Sequence, residues 1–175
     1  MIIPAGEVVI SADGLVLREW TQADIDSMVT LFDEESIDVW TPLESPFDAD
    51  AAKRYLDRAH RLRTQGYGIQ LAITTGGIAP LGEVLLFDGG AQGVAELAYA
   101  VGLAHRGQRL AARAVRLMME YAAAACGVSG YVLKISPANL ASQGVAKAAG
   151  FTLTDEPVEV RERKGRRLEM AVWRC

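Results

Sequence analysis

The stretch Tyr99-Ala-Val-Gly-Leu-Ala-His-Arg-Gly-Gln-Arg-Leu-Ala-Ala-Arg-Ala114 joins an apolar strand pattern, a basic turn containing glycine and a long helical pattern with no spacer between them. Such an arrangement makes an anion cradle. Backbone N–H groups left free at a helix start lie at the positive end of its dipole and bind phosphate oxygens. Gly107, Ala111 and Ala112 are small enough for a ligand to approach the backbone closely. The expected chemistry is therefore the binding of a phosphorylated cofactor. The turn has neither the spacing of a nucleotide P-loop nor the glycine-rich dinucleotide fingerprint.

Composition narrows the class of protein. A chain of 175 residues, 50% hydrophobic, suffices for one substantial core, and a single domain over residues 1–175 is expected. A balance of 18 basic against 22 acidic residues argues against general nucleic-acid binding. Acid and base are nevertheless segregated. Asp33, Glu34, Glu35, Asp38, Glu44, Asp48 and Asp50 form an acidic belt without Lys or Arg, whereas Arg161 to Arg167 is a basic run with one acid, Glu162. Cys126 and Cys175 lie far apart without CxxC spacing and read as reduced thiols of a cytoplasmic protein. The N-terminus shows no secretory pattern, and no apolar run approaches the ~18 to 20 residues that span a bilayer. His60 and His105 belong to no His/Cys cluster, so no metal site is expected.

The elements that must position the cradle can be read from periodicity. Leu15 to Glu19 reads as a strand, and Thr21 with Asp24 three residues on reads as a helix start. Ile25, Met28, Val29 and Phe32 share one helical face; the segment from Trp40 to Pro46 then breaks the helix. Asp48 or Asp50 starts a second helix bearing Tyr55, Leu56, Ala59 and Leu62. From Gly68 the period becomes two, and strands near 69–73, 81–87 and 94–101 form an antiparallel meander. The last of these places Ala95, Leu97 and Tyr99 on one face and Glu96 and Ala98 on the other. A helix from about Arg109 to Cys126, capped by Gly127, leads to a strand from Tyr131 to Ile135, and a strand-helix-strand crossover implies parallel pairing. Asn139 opens a helix that closes at Gly150, and 158–163 with 167–173 form a hairpin about Lys164-Gly165.

This order of elements resembles the GNAT N-acetyltransferase superfamily, and its RimJ/RimL-like branch in particular. The likeness covers about residues 14 to 173 and rests on three ordered motifs: Ala95 to Tyr99, Arg106 to Ala111, and Asn139 to Ser142 followed by Lys147 to Phe151. It implies a mixed α/β (α+β) fold with about seven strands, about four helices, a splayed parallel central pair and a C-terminal hairpin. It also implies acetyl-CoA, or another acyl-CoA, as cofactor. By the resemblance, the pyrophosphate lies on the turn formed by Arg106, Gly107, Gln108, Arg109, Leu110, Ala111 and Ala112. Val101, Gly102 and Leu103 pair with the pantetheine arm, Asn139 bonds the pantetheine region, and Ser142 faces the departing sulfur. Arg109 stands where the family pattern has Gly. Its side chain either turns outward or neutralises a phosphate, or else it obstructs a position that requires positive φ.

Acetyl transfer to nitrogen requires a deprotonated amine, and an alkylamine with a pKa near ~10 is under about a thousandth neutral at pH 7. Glu96 is the expected proton acceptor, with Tyr99 or Ser142 assisting the leaving thiolate. The same positions also have bland readings: Glu96 as the solvated half of a strand alternation, and Ser142 as support for the Asn139 cap. Trp40, Tyr67 and Glu96 are expected to line the acceptor site, although Tyr67 also reads as a core residue. The acidic belt points to a small cationic amine or a protein N-terminus as acceptor. The chain is expected to be a monomer or a homodimer. The rival reading is a non-catalytic CoA-binding or interaction module in which Arg109 has altered the cradle and the basic hairpin docks a partner.

Overall fold

The computed structural model describes residues 1–175, apart from the side chain of Arg163. A first hairpin, β1 (Val9–Ala12) and β2 (Leu15–Glu19), turns at Asp13 and Gly14, both at positive φ. The turn Gln22–Asp24 leads into α1 (Ile25–Phe32), α2 (Glu35–Trp40) and α3 (Ala49–Thr64). The meander β3 (Gly68–Thr75), β4 (Pro80–Asp88) and β5 (Val94–Val101) follows. A short turn, Leu103–His105, then enters α4 (Leu110–Ala125). The chain finishes with β6 (Gly130–Ile135), α5 (Leu140–Ala149), β7 (Thr152–Leu153), β8 (Glu159–Arg163) and β9 (Arg166–Arg174).

The strands form one nine-stranded sheet in the order β1-β2-β3-β4-β5-β6-β9-β7, with β8 on β9. Only β5 and β6 pair in parallel, as the crossover through α4 requires. The observed sheet exceeds the seven expected strands by β1 and the two-residue β7. Most of β1 is exposed, so it carries no apolar alternation; its legible signal was the Asp13-Gly14 pair, a hairpin-turn dipeptide. A fifth helix, α2, occupies part of the expected Trp40 loop. It is six residues long and buries only Ile37, too short for a helical period to show.

Two cores flank the sheet. On one face α4 presents Leu110, Ala114, Val115, Met118 and Ala122 to Leu71, Ile73, Val84, Leu86 and Leu97, a 3.6-residue stripe meeting alternate strand positions. On the other, α1 and α3 pack Met28, Phe32, Ala52 and Leu56 around Trp20, Ala72 and Ala100. An edge-to-face aromatic series runs through this second core, Trp20 to Phe32 at 6.0 Å, Phe32 to Phe47 at 5.6 Å and Phe47 to Tyr55 at 6.0 Å. Each such pair is worth about 0.5–1.5 kcal/mol beyond its burial. The series ends at Tyr55 and fixes where its hydroxyl lies.

Gly82 allows β4 to lie close against β5. A Cβ there would sit 2.3 Å from the Ala100 carbonyl oxygen and 2.9 Å from Val101 Cα, both backbone atoms unable to yield without moving the strand. Gly82→Ala is expected to lower the unfolding free energy by about 1–3 kcal/mol, the range for overpacking. A urea titration would show this as a reduced midpoint with an unchanged slope.

Candidate active site

β5 and β6 pair only at Val94, Ala95 and Glu96 opposite Gly130, Tyr131 and Val132. Beyond Glu96 the strands part, β5 running on to Val101 and β6 to Ile135. Two clefts open beside this splay. One, of about 430 Å³, is lined by Val101, Arg106, Gly107, Arg109, Leu110, Ala111 and Ala112 together with Ala141 and Val145 of α5. The other, of about 440 Å³, is lined by Tyr55, Arg58, Gln70, Glu83, Leu85, Phe87, Glu96, Lys134 and Arg161. Both include Trp40, Thr41, Tyr99, Ala100, Asn139 and Ser142, so they meet there.

The first cleft has the features of an anion cradle. No side chain caps α4, and the first N–H to find a helical carbonyl is that of Arg113, to Arg109 O at 3.1 Å. The N–H groups of Leu110, Ala111 and Ala112 are left for a ligand, as at any uncapped helix start. Gly107, at φ 76°, has open space where a Cβ would stand. Arg109 adopts φ 59° and ψ 16°, so this position does need the left-handed conformation that glycine takes freely. That conformation costs a side-chain-bearing residue about 1–2 kcal/mol. The Arg109 side chain is exposed and has no ion-pair partner among the described residues, which leaves its guanidinium available to a phosphate. Arg106 is spent differently: Nε donates to Val101 O at 3.0 Å, and Nη2 bonds Ser36 Oγ at 2.8 Å and pairs with Glu34. It braces the turn against α2.

Of the residues expected at the cofactor, Gly102, Leu103 and Gln108 line neither cleft. The Gly102 N–H is taken by Leu81 O, Leu103 starts the turn that leads away, and Gln108 is exposed. Tyr67, expected at the acceptor or in the core, is in neither place. It is 62% exposed between Gly66 and Gly68, because β3 begins only after it. Most of the acidic belt is engaged within the fold. Asp33 accepts from Phe47 N, Asp48 caps α3, Glu34 holds Arg106, Glu44 holds Arg54 and Asp50 holds Lys53. Asp38 receives Lys164 at 2.5 Å and Arg166 at 3.6 Å, which ties the basic hairpin tip to α2 instead of leaving it in solvent. Ion pairs thus offset four of the belt's seven carboxylates, Glu34, Asp38, Glu44 and Asp50, and weaken the field it offers a cationic acceptor.

At the junction the Tyr99 hydroxyl donates to Ser142 O at 2.9 Å and lies 2.7 Å from Ser142 Oγ. Burial pushes the Tyr99 phenol up to about 12 against the opposing pull of Ser142, so it stays protonated. Asn139 uses its side-chain oxygen to cap α5, accepting from Ser142 N at 3.0 Å. Glu96 lies in the second cleft, on the face opposite Leu97 as its strand position demands. Lys134 Nζ is 3.1 Å from one of its oxygens and Arg161 Nη2 is 3.4 Å from the other. Its lone pairs already face cations.

A second carboxyl fits the role of proton acceptor better. Glu83 is 3% exposed on β4, opposite Ala72 and Ala100, and the small side chains of Ala98 and Ala100 leave the cleft open beside it. The Tyr55 hydroxyl donates to it, 2.9 and 3.0 Å from its two oxygens. Burial raises the Glu83 carboxyl to about 7, against the lowering effect of the Tyr55 hydrogen bond. Burial and the neighbouring carboxylate in turn hold the Tyr55 phenol well above its ordinary value. Glu83 was available in the sequence as a lone acid inside the apolar run from Leu81 to Phe87, but such a residue reads equally as the wet face of an alternating strand.

Residues 14–152 match the family described as "Acetyltransferase (GNAT) domain". This chain belongs to that family. No curated protein sequence matches it. Among solved structures, an acetyltransferase from Salmonella typhimurium that modifies the N-terminal serine of a 50S ribosomal subunit protein superposes with a TM-score of 0.84 at 16% identity, covering 96% of this chain and 98% of that one. Mycobacterium smegmatis RimJ, in complex with CoA-disulfide, gives a TM-score of 0.81 at 16% identity over 97% and 86% of the two chains. The microcin C7 self-immunity acetyltransferase MccE, in complex with acetyl-CoA and AMP, gives 0.81 at 15% identity over 94% and 93%. Identities this low establish a shared fold. Among the described residues of the GNAT chain no helix is long and apolar enough to cross a membrane.

The buried carboxyl makes the stability of this GNAT domain depend on pH. The folded pKa of Glu83, about 7, lies above its ordinary value of 4.5, so the folded state holds the extra proton between them. The associated stability is fully present below about 4.5 and is lost as pH rises through 7. Between pH 5.5 and pH 8.5 the wild type should lose about 2 kcal/mol relative to Glu83→Gln, which lacks this titration. Paired urea unfolding curves at the two pH values test it; parallel behaviour of the two proteins would place the Glu83 titration elsewhere.

Proposed function

We propose that the chain is one catalytic domain that transfers an acetyl group from acetyl-CoA to a primary amine by direct attack within a ternary complex. The observation that carries this reading is the meeting of two clefts at Tyr99 and Ser142, with an anion cradle on one side and a buried carboxyl, Glu83, on the other. The cradle fits the phosphates of acetyl-CoA: the α4 N–H groups are uncapped, Gly107 leaves the backbone bare and Arg109 offers a free cation. When bound, that group supplies a thioester carbon open to attack and a thiolate able to leave.

The remaining chemistry belongs to the chain. Glu83, with a pKa near neutrality, takes the proton that an ammonium must lose before its nitrogen can attack. A nitrogen–carbon bond forms and a carbon–sulfur bond breaks. Tyr99 holds its proton too tightly to surrender it to a thiolate of pKa near ~8.5. With the thioester bound, its one O–H turns from Ser142 O to stabilise the departing sulfur by hydrogen bonding, and the proton balance closes through solvent. Trp40 and Thr41 wall the junction, and Asn139 fixes Ser142 at the start of α5. Holding amine and thioester together supplies the larger share of the rate, as for other two-substrate reactions. Cys126 is buried and Cys175 exposed, both as free thiols, which suits a reducing compartment such as the cytoplasm.

Calorimetric titration with acetyl-CoA should show binding that is weakened on removal of the ribose 3′-phosphate, and a flat titration up to millimolar would refute the cradle. In steady-state assays Glu83→Gln should lower kcat by roughly 10²–10⁴-fold, the usual range for loss of a general base. Tyr99→Phe should lower it roughly tenfold, in line with one lost hydrogen bond to a charged group. The wild-type rate with a weakly basic amine should rise with pH through an apparent pKa near 7 and lose that inflection in Glu83→Gln. A base-sized loss in Glu96→Gln with Glu83→Gln still active would reassign the proton acceptor to Glu96.

A further inference from the structure

The acceptor cleft contains a buried polar group that nothing in the fold satisfies. Gln70 on β3 is nine-tenths buried, lines the cleft, and its Oε1 accepts no hydrogen bond from any described residue. A buried amide oxygen without a donor is destabilising, so its retention points to a ligand that brings an N–H. Gln70 and Glu83 project from the same sheet face: Gln70 and Ala72 alternate along β3, and Ala72 is paired with Glu83 on β4.

Charge in the same cleft points to the rest of the ligand. Its lining holds two carboxyls, Glu83 and Glu96, against three cations, Arg58, Lys134 and Arg161. Lys134 and Arg161 are both committed, each bridging Glu96 and Glu159 at 2.9–3.4 Å. Arg58 is different. It lies three residues after Tyr55 on α3, hence on the same helix face one turn on, and it is exposed at the cleft mouth. Among the described residues it has no carboxylate and no carbonyl partner. A planar guanidinium left open at the rim of a substrate cleft is shaped to take a carboxylate or a phosphate in a two-point contact.

We propose that the acceptor is a small amine carrying an anionic group, its nitrogen end held by Gln70 and Glu83 and its anion by Arg58. The inference rests on the acetyltransferase reading above and narrows it. A small acceptor matches a cleft of about 440 Å³, in the size range of small-ligand sites. A purely cationic amine gains only the contacts at its nitrogen end, because the one uncommitted charged group at the rim, Arg58, repels a cation.

The test compares kcat/KM at saturating acetyl-CoA for 4-aminobutyrate, 3-aminopropyl phosphate and butylamine. At least one anionic amine should exceed butylamine by tenfold or more, and Arg58→Gln should bring that ratio close to one. Which anion is preferred identifies the group that Arg58 takes. Gln70→Leu should raise KM for all three amines while raising the unfolding temperature of the free protein, a combination that simple loss of structure does not produce. Equal efficiency with butylamine, a ratio that survives Arg58→Gln, or turnover confined to peptides with neutral first residues overturns the inference and leaves the proposed function standing. Absence of turnover with every amine would refute the proposed function. Calorimetry of 4-aminobutyrate and 3-aminopropyl phosphate on the CoA-saturated protein then tests the site by itself: heat that disappears in Arg58→Gln sustains an anionic-amine site without acetyl transfer, and no heat with either probe ends that as well.

Discussion

Parallel pairing between β5 and β6 lasts three residues and then stops, and every part of the site is arranged around the backbone edge left by that failure. Strands joined through a helix start side by side and diverge where no further hydrogen bonds hold them. β6 is held on its other edge by β9, through Val132 to Ile135, which fixes its course where it parts from β5. β5 in turn is held against β4 along its whole length, with Gly82 permitting the closest approach near Ala100 and Val101. The two strands are each anchored outward, and the gap between them is therefore rigid. α4 begins at the open end of this gap and α5 lies across its far side, which brings an uncapped helix start and the Tyr99–Ser142 pair to one place.

Burying a carboxyl beside that gap has an energetic consequence and a chemical one. Glu83 is surrounded by Ala72, Ala100 and the aromatic series that ends at Tyr55, and it has one hydroxyl donor instead of a cation. Desolvation without charge compensation raises its affinity for a proton until it titrates near neutrality. Glu96 lies four residues along β5 from Ala100, the partner of Glu83, roughly 13 Å away on the same sheet face by strand spacing; it receives two cations and serves to fasten β5 to β6 and β8. Two glutamates in one cleft thus take different roles because of what surrounds them. The raised proton affinity of Glu83 makes the folded state less stable above neutral pH.

Positions around the cradle show how far residue type can be read without coordinates. The strand, turn and helix at 94–125 were legible because periodicity changes from 2 to 3.6 across a glycine-containing turn, and each pattern is long. Arg109 was legible as a departure, but its meaning was not. Positive φ is a property of the turn as a whole, and only the folded backbone shows that Arg109 adopts it with the side chain free. Tyr67 was misplaced for the opposite reason. An aromatic between two glycines carries no periodic signal, and its exposure follows from where β3 starts. The acidic belt was read as a field, whereas its carboxylates lie against Arg54, Arg106, Lys164 and backbone N–H groups that are distant in sequence.

By itself the sequence determined the order of elements, the handover from strand to anion-binding helix, and the family, because all three depend on local patterns and on spacing along the chain. Tertiary structure alone decided which carboxyl sits dry, which cations are already paired, and that Gln70 and Arg58 face a common cleft. Those properties depend on distances between β3, β4, α3 and β8, which pattern along the chain does not encode. Proton affinity and electrostatic pairing fall off over a few ångströms, so they are settled only when the chain has folded.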